Sequence, residues 1–243
     1  LRTPTCNSYV CIISYDRMKR PDPVRDRLLT AGRELFCSRG FEAVSVREIT
    51  SRANANLGAI TYHFGSKEAL YHATIDSFAH PFAESLEAAS RTPGTALDRI
   101  EAVVRAALDR TLSEPGVPTL VLRELANDRP LPQPMAQLMT RNIGIVMGII
   151  VEGQRDRTVR QADPVMLALS VVSQPFYFRI AGRGLEQAMG MARNDPRVWE
   201  RVVGHVVLSV RHTIAANPRA AAGTPAPTRA GRRRQTVNTR KPT

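Results

Sequence analysis

Aromatic residues are scarce in this chain of 243 residues, with seven Phe, five Tyr and one Trp making up 5% of it. Cysteine is scarcer, at Cys6, Cys11 and Cys37. An odd count without regular spacing gives no disulfide framework and matches the usage of a reducing cytosol. Cys6 and Cys11 have no second pair of His or Cys residues near them at zinc-site spacing, so no metal site is expected. Cys37 follows Phe36 on a helical pattern and reads as a small buried hydrophobe. A redox role would need a lowered thiol pKa, and nothing nearby in sequence obviously supplies one. The signatures HExxH and GxSxG, the phosphate loop and the dinucleotide fingerprint are all missing. No catalytic residue or cofactor is therefore assigned, and an enzyme is not expected. The longest apolar run, residues 143–151, falls far short of the roughly 20 residues that span a bilayer. Residues 9–13 are too short for a signal-peptide core. No membrane segment is expected, and neither strand-type alternation nor an internal repeat is found.

What is present is a hydrophobic content of 43%, enough to bury a full core in one or two domains, and a net charge of +12. The charge is unevenly placed. Beyond Pro218, six Arg and one Lys with no acid carry +7, which leaves +5 for the rest. Much of the apparent affinity for nucleic acid thus belongs to a tail rich in Ala, Pro, Thr and Arg, expected to be disordered over residues 218–243. The run at Arg232, Arg233 and Arg234 either adds nonspecific phosphate contact or only solubilises. At the other end, residues 1–17 lack amphipathic order while Met18, Lys19 and Arg20 precede a clean helix start. Residues 1–20 are expected to be a disordered extension, with natural translation beginning at Met18.

Residues 45–67, SVREITSRANANLGAITYHFGSK, are the most informative part. Ser45 and Glu48 fit the S-x-x-E capping box, starting a helix at Val46. Val46, Ile49 and Ala53 form its buried stripe at spacings of three and four. Asn54 sits where the chain reverses and tolerates left-handed backbone. Asn56 is a good N-cap for a second helix that turns Ile60 and Phe64 inward. Gly65 stops that helix and Ser66 caps the next. Two short helices joined by so tight a turn make a helix-turn-helix.

Arg47-Glu48-Ile49, Gly58, Tyr62-His63-Phe64 and Lys67-Glu68-Ala69-Leu70 make this region resemble the DNA-binding part of the TetR/AcrR family of bacterial transcriptional regulators. TYHFGSKEAL is the strongest piece, since unlike residues recur in fixed order. The resemblance is dense from Val24 to Phe78 and general beyond. Asn54 stands where the family usually has Gly, and Asn56 where Ser is commoner. Residues 121–126, VLRELA, together with NLGAITYHF, look like the CecR-like branch.

The rest reads as helical throughout. Pro23 opens a first helix with Val24, Leu28, Ala31, Leu35 and Phe36 on one face, ended by Gly40. A fourth starts at Lys67 with Leu70, Thr74, Ile75 and Phe78 inward, near a possible bend at Pro81. Leu97, Ile100, Val104, Leu108 and Leu112 mark a fifth, after a break at Pro93-Gly94. A short sixth covers residues 119–127 and a long seventh about 135–154. Residues 164–180 are apolar on nearly every side, so such a helix needs cover on two sides. One cover is the core, and the other is expected to be a second subunit. Residues 196–217 carry apolar columns at Trp199, Val202, Val203, Val206, Val207, Val210 and Ile214, and helical spacing outweighs the strand propensity of valine. The resemblance independently implies a four-helix homodimer interface from residues 164–181 and 196–217; the alternative is that both fill a monomer core.

The fold expected is all-α with about nine helices. A three-helix DNA-binding domain over residues 21–80 precedes a helical effector-binding and dimerisation domain over residues 81–217. With Ile60 and Phe64 buried, Gly58, Ala59 and Tyr62 point outward and Thr61 and His63 lie on the flanks. Gly58 lets backbone approach DNA, and Ala59 and Thr61 suit base edges. Leu57 either reaches a base or folds under. Ser45 and Arg47 suit phosphate at a helix N-terminus. The resemblance implies phosphate contact for Tyr62, His63 and Lys67, and Asn56 belongs to the same surface. Each has a plainer alternative: a packed Tyr62, a structural His63, an ion-paired Arg47, a merely charged first turn at Lys67. The family further implies an effector cavity, for which Arg123, Met139, Asn142, Gln174, Phe176 and Tyr177 are candidates, alongside Met135, Met147, Phe178 and Gln154. Methionines at helical spacing serve equally as core. The function expected is a cytoplasmic, sequence-specific regulator, a repressor released from an inverted-repeat duplex operator by a small molecule. The rival is a nucleoid-type architectural protein that binds DNA without sequence choice.

Overall fold

In a computed structural model, residues 22–114, 116–192 and 195–217 are described. The expected extension and tail, with Cys6, Cys11, Met18 and the arginine run, lie outside the described residues. Among those described there are nine helices and no strand, only an isolated antiparallel bridge between Val159 and Ala215.

Local chemistry sets most boundaries. Helix α1 (Pro23–Arg39) has Pro23 in its first turn and the Asp22 carboxylate accepting from the Val24 and Arg25 amides; Gly40, at φ 82°, ends it. Helix α2 (Val46–Arg52) opens on the full Ser45–Glu48 capping box. Asn54 then turns the chain at φ 46°. Helix α3 spans Ala59–Phe64 and is stopped by Gly65 at φ 85°. Helix α4 (Lys67–Ser90) is capped by the Ser66 hydroxyl and runs unbroken through Pro81. A domain division between residues 80 and 81 thus cuts a continuous helix. Helix α5 (Ala96–Ser113) has a second capping box, Thr95 with Asp98. Helices α6 (Val117–Leu125), α7 (Gln133–Arg155), α8 (Pro164–Met189) and α9 (Pro196–Ile214) complete the chain. Helix α6 starts two residues before the sequence reading because Pro118 fits a first turn, where no amide hydrogen is needed.

Two apolar cores follow. The first gathers Leu28, Phe36, Ile49, Ile60, Leu70 and Ile75 from α1 to α4 and also takes in Leu120, Val121 and Met135. The amino-terminal helices therefore do not close their own core; α6 and the start of α7 complete it. The second core joins α5, α7, α8 and α9 through Ile100, Val104, Leu108, Ile150, Val171 and Val206. Arg211 of α9 reaches Asp98 at 3.1 Å and Glu101 at 2.9 Å on α5, and Arg141 of α7 reaches Glu87 of α4 at 2.8 Å.

Three sequence expectations shift. Leu112 is exposed, and Thr111 takes the buried position beside it. Val46 is half-buried while Thr50 is buried, its hydroxyl returned to the Val46 carbonyl at 3.0 Å. Counting uninterrupted apolar residues also understates α7 and α8, which are both long and apolar enough to cross a membrane by length and composition alone. In this fold each turns one side to the helical bundle, contributing Ile149, Ile150, Leu167 and Val171 to the second core.

Candidate nucleic-acid interface and regulatory cavity

The turn that presents α3 is built from backbone bonds. The Ala53 amide donates to the Ile49 carbonyl at 2.9 Å, the Ala55 amide to the Thr50 carbonyl at 2.9 Å, and Arg27 Nε to the Ala53 carbonyl at 2.9 Å. Asn56 does not cap α3 with its side chain. Its carbonyl instead accepts from the Ala59 amide at 2.9 Å, making a tight turn over residues 56–59, and α3 begins later than expected with Gly58 before it. Ile60 is buried against the first core, and Phe64 packs on its edge beneath the Arg25 guanidinium, 5.1 Å from the ring centre.

This anchoring leaves the opposite side bare. Tyr62 is 81% exposed and Leu57 54% exposed, which settles Leu57 as facing outward. Asn56, Gly58 and Thr61 are exposed and Ala59 is half-exposed. A Cβ on Gly58 would meet nothing within 4 Å, so its lack of a side chain answers to no contact among the described residues. Arg47 is exposed and has no ion-pair partner among the described residues. The Ser45 hydroxyl is exposed but engaged by Glu48, to whose carboxylate it donates at 2.8 Å. Arg39, through a hydrogen bond, and Ser45, through its amide and hydroxyl, hold the Glu48 carboxyl down to about 2 from 4.5.

Two expected contact residues turn out to be tied inward. His63 is nearly enclosed, with Nδ1 3.0 Å from the Asp22 carboxylate that caps α1, and its ring meets Tyr62 edge-on at 4.8 Å. The Arg25 and Val24 amides, with the charges of His63 and Arg25, lower the Asp22 pKa. Lys67 places its ammonium 4.1 Å from the Phe41 ring centre and is half-buried. Sequence reasoning missed Asp22, Arg25 and Arg27 as supports, because their partners lie on other helices.

A cavity of about 60 Å³ lies between α4, α5, α6, α7 and α8. Met135, Met139, Asn142 and Phe176 line it, together with the unforeseen Phe78, Phe82, Arg110 and Glu114. Arg123, Gln174 and Tyr177 do not. Arg123 crosses to α1, donating to the Ser38 carbonyl at 2.7 Å and to the Cys37 carbonyl at 3.4 Å. Gln174 is half-exposed on α8, and Tyr177 is 62% exposed. Gln154 donates to the Arg160 and Ala162 carbonyls, while Met147 and Phe178 pack on the second core. Cys37 lies half-buried beside Gly116, and burial pushes its thiol up, as a packed thiol behaves.

An outward helix held by a left-handed turn against the two helices before it defines the helix-turn-helix class. The match to the family model of bacterial regulatory proteins, tetR family, covers residues 28–74. UidR of Escherichia coli, an HTH-type transcriptional regulator, is 30% identical over 139 residues, 57% of this chain and 67% of UidR. The chain belongs to the TetR family. The HTH-type transcriptional repressor Rv3405c of Mycobacterium tuberculosis is 36% identical over 98 residues, 38% of this chain, which spans only 52% of that repressor's length. A TetR-family regulatory protein from Rhodococcus RHA1 shares the fold, with a TM-score of 0.63 at 21% identity over 78% of this chain and 98% of its own. The relatives named are regulators, in line with the reading that this is not an enzyme.

Proposed function

We propose that the chain is a cytoplasmic transcriptional regulator that binds an inverted-repeat DNA operator as a homodimer and is released by a small molecule. The observation that carries it is the exposure of Thr61 and Tyr62 on α3, and of Leu57 just before it, while Ile60 and Phe64 fix the other face of the helix. Among the described residues, no hydrogen bond or ion pair engages the side chains of Leu57, Thr61 and Tyr62. Residues 21–80 serve as the reading head and residues 81–217 as effector and dimer domain, sharing α4. Ala59 and Thr61 read base edges, with Leu57 and Asn56 beside them and Gly58 allowing close approach. Arg47, Tyr62 and the Ser45 end of α2 hold phosphate. His63 acts chiefly by fixing α3 to Asp22, and Lys67, which rests on Phe41, is kept as the phosphate contact the resemblance implies.

Dimerisation is supported by the apolar side that α8 and α9 leave open. Val165, Leu169, Tyr177 and Ile180 follow one another at helical spacing on α8, and Leu208 is exposed on α9. A second copy supplies cover of matching kind, and two-fold symmetry would set the reading helices in successive grooves about 34–36 Å or a multiple apart. Repression rather than activation is proposed on the habit of the family alone, since the relatives include both a repressor and an activator.

A footprint of the full chain on its own upstream region tests the proposal, beside a titration on scrambled duplex. Protection of an inverted repeat by two chains supports it. Equal affinity for any duplex would mean architectural binding and sink it.

A further inference from the structure

The regulatory cavity contains two polar atoms that nothing else in the structure uses. Its wall is apolar apart from Arg110, Thr111, Glu114 and Asn142. The Thr111 hydroxyl is spent on the Leu108 carbonyl at 2.8 Å, and the Glu114 carboxylate is held by Arg33 of α1 at 2.5 Å. Arg110 Nε and Asn142 Oδ1, by contrast, are shut off from solvent without a hydrogen-bond partner among the described residues. No carboxylate pairs with Arg110 there either. Buried polar atoms are normally satisfied, so two unsatisfied ones on the wall of one space call for a missing partner. The charges argue the sign: Arg33, Arg110 and Glu114 together carry one positive charge in excess, which a single anionic group would neutralise. The Asn142 amide offers an acceptor or, turned over, a donor.

The shape gives the rest. Phe82, Asn142 and Phe176 also line a second cavity of about 50 Å³, otherwise walled by aliphatic side chains such as Val146 and Val171. These three residues stand between the two spaces, so that movement of the Phe82 and Phe176 side chains would be needed to join them into one slot, polar only near Arg110 and Asn142. We propose that the joined cavities take an elongated apolar monoanion. Its acidic end sits on Arg110 and Asn142, and its hydrocarbon body passes Phe82 and Phe176 toward Val171. This rests on the reading of the chain as a ligand-controlled regulator and names the class of ligand.

Octanoate, decanoate and dodecanoate, each beside its 1-alkanol, are titrated into the full chain by calorimetry, with operator affinity measured on the same samples. The acids are expected to bind about tenfold or more tighter than the alcohols, as a charge-assisted hydrogen bond implies. Arg110→Met should abolish that preference, while Arg110→Lys should keep it, which separates charge from misfolding. Equal binding of acid and alcohol, or preference surviving Arg110→Met, overturns the inference. So does binding of neither, which would assign the polar atoms to buried water. Intact operator binding in that last case leaves the regulator reading standing; acid binding by a chain that ignores its operator supports the inference and sinks the regulator reading.

Discussion

Tyr71 of α4 donates its hydroxyl to the Glu124 carboxylate of α6 at 2.6 Å, in a site where both side chains are buried. Phe36 and Phe41 pack on the Tyr71 ring, at 4.9 and 5.0 Å between centres, and burial together with Glu124 drives the phenol pKa upward. The bond joins the reading head to the helix that completes its core. Tyr71→Phe leaves a buried carboxylate without its donor and is expected to cost about 1–3 kcal/mol in urea unfolding. Adding Glu124→Leu should recover part of that loss, and strictly additive losses would show that the bond contributes nothing.

Glu48 contributes part of the acid response, beside Asp22, Asp98 and Asp156, whose carboxyls are also lowered. Its carboxyl is held at about 2, below the ordinary 4.5, by Arg39 and Ser45. A folded-state pKa below the unfolded one adds stability that is complete above about 4.5 and lost as pH falls toward 2. Thermal midpoints should therefore drop through that window, and Glu48→Gln should flatten the drop. An unchanged profile in the variant would place the acid response elsewhere.

DNA contacts should separate by type. Tyr62→Ala is expected to weaken operator and scrambled duplex alike, and Lys67→Ala to do the same while lowering the salt slope by about 0.9. Thr61→Ala should instead change the ratio between sequences. Equal losses on both duplexes for Thr61→Ala would count against base reading.

The open face of α8 predicts its own test. Leu169→Glu is expected to move the chain from dimer to monomer in sedimentation equilibrium at micromolar concentration, with melting little changed, because Leu169 is exposed within one copy. A dimer that persists would mean that another surface joins the copies.

Gly153 of α7 has no room for a side chain. A Cβ there would lie 2.5 Å from Val159 Cγ2 and 2.6 Å from Ala96 Cβ. Gly153→Ala is expected to destabilise by about 1–3 kcal/mol in urea unfolding, the cost of overpacking. A neutral result would show that the 158–160 loop shifts freely.

The sequence by itself determined the helices and their punctuation. The Ser45–Glu48 box, left-handed Asn54, the stop at Gly65 and the cap at Ser66 involve partners within a few residues, so spacing alone reveals them. Buried Ile60 and exposed Tyr62 were legible for the same reason, since helical period assigns faces. Only the tertiary structure decided which residues from distant helices meet. It bound His63 to Asp22, set Lys67 on Phe41, sent Arg123 to α1 instead of the cavity, and brought Arg110 and Asn142 to one wall. Those pairings depend on the angles between packed helices, and no local pattern along the chain encodes such angles.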